Sequence, residues 1–255
     1  MATSSCPGLD LAQVAKAVTA LKRFTGAQAE APSAGLLDED EFFYLMLSLK
    51  KTSPERKGRD KPHRLPLPHP IHSFEGADVC LLVKDDKAGE GHKKAKKRLA
   101  ALEGKAGVAK VIGTSKLRTK YESFEAKRNL CNQFDLFLAD DRILPSLPKL
   151  IGKQFFRRKK QPIPVKLSVK DWDAQFQKAA ASTYLHLSGG SCISIKVARA
   201  SQPEEHVRAN IAAVLDAAVA RIPKKWGNVQ ALFLKTADSV ALPLYQCAPD
   251  EARVI

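Results

Sequence analysis

Residues 77–141 read ADVCLLVKDDKAGEGHKKAKKRLAALEGKAGVAKVIGTSKLRTKYESFEAKRNLCNQFDLFLADD. Three short apolar runs, Val79–Val83, Val108–Ile112 and Leu136–Ala139, alternate with two longer charged segments. Val79–Val83 and Leu136–Ala139 are apolar without a break, which suits strands covered on both faces, while Val108–Ile112 is broken only by Lys110. The segment Glu90–Glu103 reads as a Lys-rich helix. Ser115–Cys131 reads as a second helix, turning Leu117, Tyr121, Phe124 and Leu130 inward. Strand–helix–strand–helix–strand with short connections predicts a small parallel sheet carrying helices on its faces.

The pattern differs on either side. Leu11, Val14, Val18 and Leu21 recur at helical spacing behind a candidate N-cap, Asp10, and Gly26–Gly35 reads as a small-residue loop. Phe42–Leu49, FFYLMLSL, predicts a strand so apolar that both faces are expected to be covered. A proline-rich cationic stretch follows and ends in LPLPHPIH at 65–72, an extended crossover. After Pro164 come a helix over Trp172–Ser182 and strands at Tyr184–Leu187 and Ile193–Val197. A capping box at Ser201–Glu204 then starts a helix bearing Val207, Ile211, Val214 and Leu215. Val229–Leu234 is a further strand, which Leu242–Tyr245 extends. The C-terminal part has too few strands to stand alone, and the strand at 42–49 completes it. The expected architecture is an α/β protein: an α+β domain from 1–74 plus 166–255, with a parallel α/β domain at 75–165 inserted between them.

Charge directs the functional reading. The 255 residues hold 42 Lys and Arg against 27 Asp and Glu, a formal net charge of +15. That balance is the electrostatic footprint of a nucleic-acid binder. Arg157, Arg158, Lys159 and Lys160 stand in a row, and four adjacent cations repel one another unless an anion lies across them. No apolar run approaches the ~20 residues of a spanning helix, and Met1–Asp10 lacks the features of a signal peptide. No membrane partner is expected. The five cysteines are scattered, with no CxxC pair, and read as reduced, mostly buried thiols of a cytosolic or nuclear protein.

Catalytic signatures are missing from the sequence. There is no GxxxxGK[ST], GxSxG or HExxH, and the six histidines show no metal spacing. Gly89–Lys94 lacks the glycine spacing of a phosphate loop and reads as a loop entering a Lys-rich helix. Asp140 and Asp141 read as a capping turn before Arg142. The expectation is a protein that is not an enzyme, with no cofactor, metal or small-molecule substrate. Without a sheet-borne aromatic signature of single-base readers, the expected target is a folded RNA recognised by backbone and shape.

The segments LPLPHPIH at 65–72, LRTKYESFEAKRNL at 117–130, FDLFLADDRILPSLPKLIGKQFFRRKKQPIPV at 134–165, SGGSCISIKVARA at 188–200 and WGNVQALFLKTADSVALPLY at 226–245 together resemble the ribosomal protein L1 family. The likeness is greatest to its nucleolar branch of L1 domain-containing ribosome-biogenesis factors. The resemblance implies a two-domain fold joined by a two-stranded hinge and a role in binding pre-rRNA or rRNA among pre-ribosomal assembly proteins in the nucleolus. A mature large-subunit stalk protein and a protein-interaction scaffold are the alternatives. The family's RNA site lies on a sheet face by a Thr-Met-Gly turn, which aligns here with Thr236-Ala237-Asp238, so only the Thr matches. The family's aromatic position falls near Leu37, which is not aromatic. The residues expected to contact RNA are Lys235, Thr236, Ser239, Lys196, Arg199, Lys50, Lys51 and the run Arg157, Arg158, Lys159 and Lys160. The sequence closes at Ile255 without a Lys-rich tail, which leaves binding to the folded domains.

Overall fold

A computed structural model describes residues 9–29, 40–52, 62–72, 78–85, 90–101, 107–158, 160–187 and 190–247. Its contacts fall into two units, one of residues up to Ile71 together with those from Ser182, the other His72–Ala181. In chain order the first unit supplies α1 (Leu11–Ala29), β1 (Phe42–Leu49) and β2 (His63–Pro66). The second supplies β3 (Val79–Val83), α2 (Gly91–Ala100), β4 (Val108–Gly113), α3 (Thr114–Thr119), α4 (Phe124–Gln133) and β5 (Leu136–Asp140). It continues with α5 (Leu147–Ile151), α6 (Lys153–Arg157), β6 (Ile163–Val165) and α7 (Trp172–Ala180). The chain returns with β7 (Ser182–Leu185), β8 (Cys192–Arg199), α8 (Glu204–Val219), β9 (Val229–Lys235) and β10 (Leu242–Gln246).

The second unit is built on a parallel sheet of order β4-β3-β5-β6. All five residues of the inner strand β3 are buried, as its unbroken apolar run requires. One side is closed by α3–α6, with Leu117, Tyr121, Leu130, Phe137 and Phe155 packed together. Elsewhere in the unit, Arg98 of α2 lies over the Trp172 ring of α7 at 4.5 Å and donates to the Val169 and Lys170 carbonyls. Three expectations change here. The segment 115–131 is two helices, because Ser123 caps a new one by accepting from the Ala126 N–H. Phe124 therefore sits at the first position of α4, 81% exposed rather than turned inward. A fourth strand, β6, runs through Pro164 at the sheet edge, where a missing N–H is tolerated. α7 packs against β6 and so lies in the second unit, past the boundary read at 165/166 from the prolines of 162–164.

The first unit is an antiparallel sheet of order β10-β9-β1-β8, with α1 and α8 on one face. Asp10 caps α1 by accepting from the Ala12 N–H at 2.8 Å. The helix runs through Gly26 to Ala29, so the loop read from Gly26 starts later; 30–39 lie outside the described residues. Phe43, Leu45, Leu47 and Leu49 of β1 are buried against Val14, Val18 and Leu21 of α1 and Val207, Ile211 and Val214 of α8. Each such side chain contributes ~1.5–3 kcal/mol. The expected capping box does not form: Ser201 binds Asp40 at 2.8 Å, and Pro203 holds the N-cap position of α8.

Asn210 of α8, fully buried, ties the crossover strap down. Its amide donates to the carbonyls of His69 and Val197, and its oxygen accepts from the His69 N–H, each at 3.0 Å. Asn210→Ala strands the buried Val197 carbonyl and deprives the part-buried His69 backbone of its partner. It is expected to cost roughly 2–4 kcal/mol, read as a lower urea midpoint; a loss within error would mean that the strap is held by apolar packing alone. Beside it, β2 and β7 pair antiparallel from His63↔Leu185 to Pro66↔Ser182.

Candidate nucleic-acid interface

The sheet of the first unit has one face under α1 and α8 and another that is half-exposed. β1 shows the difference: Phe43, Leu45 and Leu47 are buried on the inner row, whereas on the outer row Phe42, Met46 and Ser48 are partly exposed and Tyr44 is buried. The expectation that both faces are covered is thus corrected. Strand alternation alone would place Lys196 and Arg199, three apart, on opposite faces. A bulge prevents this. Register slips between Phe43↔Ala198 and Tyr44↔Lys196, and Val197 and Ala198 are both buried. The extra residue re-aims Arg199 to the side of Lys196.

Phe42 lies under both cations. The Lys196 Nζ is 4.4 Å and the Arg199 guanidinium carbon 5.0 Å from its ring centroid, within cation–π range. Tyr44 stands two residues on and faces Lys196 on one neighbouring strand and Lys235 on the other. Adjacent strands are ~4.8 Å apart, so the two lysines straddle Tyr44 with ~10 Å between their backbones. Burial, and then the Glu41 carboxylate, push the Tyr44 hydroxyl up to about 12, so it stays protonated. Arg199 has a structural task as well: it donates to the Ile71 carbonyl at 2.7 Å and pairs with Asp40 at 3.4 Å.

The other expected residues fall elsewhere. Thr236 and Ser239 are buried and bond each other: the Thr236 N–H donates to the Ser239 hydroxyl at 2.8 Å, and the Ser239 N–H to the Thr236 hydroxyl at 3.3 Å. They shape the turn after β9 and leave Ala237 and Asp238 exposed. Lys50 and Lys51 end the same strand six or seven residues beyond Tyr44, ~20 Å away, with the Lys51 backbone clasped by Asn228. Arg157, Arg158 and Lys160 belong to the second unit. Arg158 binds the Asn132 side chain, and Lys160 donates to the Phe134 carbonyl at 3.1 Å. Both close the C-terminus of α4, whose partial negative charge answers part of the repulsion in the run. Lys159 and Leu37 lie outside the described residues. Phe42 was missed in the sequence, although its i, i+2 relation to Tyr44 marks a shared strand face.

The second unit offers the usual ligand position of a parallel α/β sheet, beyond the carboxyl end of β3, whose two neighbours are reached in opposite directions. Asp85 occupies it. Its carboxylate accepts from the Ser115 N–H at 2.8 Å and the His92 N–H at 3.2 Å, and contacts the His92 ring at 3.3 Å. The starts of α2 and α3, which could hold a phosphate, are filled by the chain's own anion. Glycines make the fit possible: a Cβ on Gly113 would lie 2.2 Å from an Asp85 carboxylate oxygen, and one on Gly91 2.3 Å from the Lys84 carbonyl. Asp140 similarly turns to Arg142, with a 2.7 Å ion pair.

Cys80 and Cys131 are buried, with the Cys80 thiol raised to about 12 by burial despite Lys110, while Cys192 is exposed. Among the described residues no cluster of three or more His, Cys, Asp or Glu could hold a metal, and no helix is long and apolar enough to cross a membrane.

Comparison with known proteins assigns this scaffold. A model described as the ribosomal protein L1p/L10e family matches residues 25–240. The chain belongs to the ribosomal protein L1p/L10e family. Its two α/β units are those of an L1-like fold. It is 36% identical over 239 residues to the mouse ribosomal L1 domain-containing protein 1, covering 93% of this chain and 52% of that protein. It is 33% identical over 192 residues to a Schizosaccharomyces pombe protein assigned by name to ribosome biogenesis, covering 72% and 49%. The large ribosomal subunit protein uL1 of Chlamydomonas reinhardtii is 23% identical over 133 residues, 52% of this chain and 61% of that protein. The chain thus spans about half the length of the first two relatives.

Proposed function

We propose that this L1-family chain is a non-catalytic RNA-binding ribosome-biogenesis factor that holds folded pre-rRNA within pre-ribosomal particles. The observation that carries the reading is the outer sheet face, where a bulge gathers Lys196 and Arg199 over Phe42 and sets Lys196 and Lys235 either side of Tyr44. Cations fixed on a rigid, gently twisted surface match the spaced phosphates of a folded RNA. The net charge of +15 supplies the long-range attraction. The ribosome-biogenesis names of two Schizosaccharomyces pombe relatives support the pre-ribosomal setting, with nucleolar residence and assembly proteins as neighbours. Thr236 and Ser239 hold the turn that ends β9, and Lys235 makes the contact beside it.

Ultraviolet crosslinking of the tagged protein in growing cells, with sequencing of the attached RNA, tests this. Reads in pre-rRNA, including spacers or sites remodelled during assembly, are expected. Reads confined to the mature stalk region would make the chain a ribosomal protein. Background reads alone would remove the RNA-binding reading and favour a protein scaffold.

A further inference from the structure

Phe124 is 81% exposed at the first position of α4, outside the cluster that Leu117, Tyr121 and Leu130 form beneath it. Folding gives this ring no evident task. The Lys127 Nζ hovers 5.9 Å from its centroid. The Lys127 stem runs past Gly152, whose absent Cβ would lie 3.5 Å from it; Gly152, at φ +76°, joins α5 to α6. From there α6 runs beside α4 until Arg158 meets Asn132 and Lys160 meets the Phe134 carbonyl. One edge of the second unit therefore leads from an open aromatic ring, past Lys127, to the basic run. Its length is that of the ten-residue α4, ~15 Å at the usual helical rise. Helices α3–α6 bear a cation each or more, against the carboxylates of Glu125 and of Glu122 in the turn before α4.

We propose that this edge is a separate RNA-binding surface for an unpaired segment, with one base stacked on Phe124 and the neighbouring phosphates on Lys127, Arg128 and Arg157. The proposal rests on the RNA-binding reading above but concerns another unit and another RNA form. A ring standing free among cations is the pairing that sequence-tolerant single-strand binders use. A base within a helix keeps its faces stacked on its neighbours, so only an unpaired one can lie on the ring. An acidic peptide would satisfy the cations and leave the ring unused.

The test is fluorescence anisotropy of the whole chain with a short labelled oligouridylate, and 2-aminopurine emission from the same oligomer carrying that base. Phe124→Ala, a change to an exposed side chain, is expected to weaken binding roughly tenfold, the usual scale for losing one stacked base. It should also abolish the 2-aminopurine quenching that wild type produces. Phe124→Trp should restore both. Equal affinity and equal quenching in wild type and Phe124→Ala would overturn the proposal while folded-RNA binding stands. Displacement of the oligomer by polyglutamate as readily as by unlabelled RNA would overturn it too, making the edge a protein-docking surface. A wild-type chain that binds neither RNA form would remove both readings together.

Discussion

Alanine at both Lys196 and Lys235 is expected to weaken binding of folded rRNA about fiftyfold at ~0.1 M salt, and to lower the salt slope by nearly two. Each phosphate neutralised releases most of one condensed counterion, which at that salt is worth somewhat under a factor of ten in affinity. Two contacts multiply because the lysines lie on separate strands either side of Tyr44. Both are half-exposed on a face away from the helices, so the fold should survive, as an unchanged urea midpoint would show. Arg199→Ala is a poorer probe. Its bonds to Ile71 and Asp40 would be lost as well, mixing stability into the affinity change. An unchanged salt slope in the double-lysine variant would mean that phosphates do not lie on this face.

Asp85→Ala is expected to destabilise the second unit by roughly 2–3 kcal/mol, since it removes the carboxylate that accepts from the part-buried His92 N–H and the more open Ser115 N–H, and bonds to a charged group are worth ~1.5–3 kcal/mol each. The Asp85 side chain is only 3% exposed, so water cannot replace the carboxylate without reorganising the starts of α2 and α3. Burial by itself would raise the Asp85 carboxyl, but the bonds from Ser115 and His92 outweigh it and hold the group below its ordinary value. The sign follows. The contribution is fully present above the ordinary carboxylate range and is lost as pH falls through the depressed folded value. Asp85→Asn keeps the shape and removes that titration. The chain has two tryptophans, and Trp172 lies in the second unit. Urea melts of a Trp226→Phe background, followed by Trp172 fluorescence at several pH values, should show the acid-induced loss in wild type and a flatter profile in Asp85→Asn. Parallel profiles would show that another group carries the acid dependence.

Val79–Val83 and Leu136–Ala139 were legible because a covered parallel strand is apolar along its whole length, and the edge strand at Val108–Ile112 was legible through its β-branched residues despite Lys110. The strand β6 was hidden by its proline, which only an edge position excuses. The break between α3 and α4 was hidden by continuous helical spacing across Lys120–Ser123; a single capping hydroxyl on Ser123 decided it. For the candidate site, the cations Lys196, Arg199 and Lys235 were legible as charges at strand positions, but their common face was not. Thr236 and Ser239 look alike in sequence whether they face solvent or bond each other, and here they bond each other.

By itself the sequence determined the class of the fold, through alternating apolar and charged segments each long enough for its element, and the surplus of Lys and Arg that gives the net charge of +15. Those properties are local or additive, so they survive without coordinates. Only the tertiary structure decided which cations lie together. Residues three apart on β8 share a face because a bulge opposite Phe43 inserts one residue into the ladder. Phe42 becomes the platform for two charges, whereas Phe124 is turned out to solvent. The physical reason is that strand pairing and helix capping are settled by partners distant in the chain or by single hydrogen bonds. Neither leaves a periodic trace in the residues themselves.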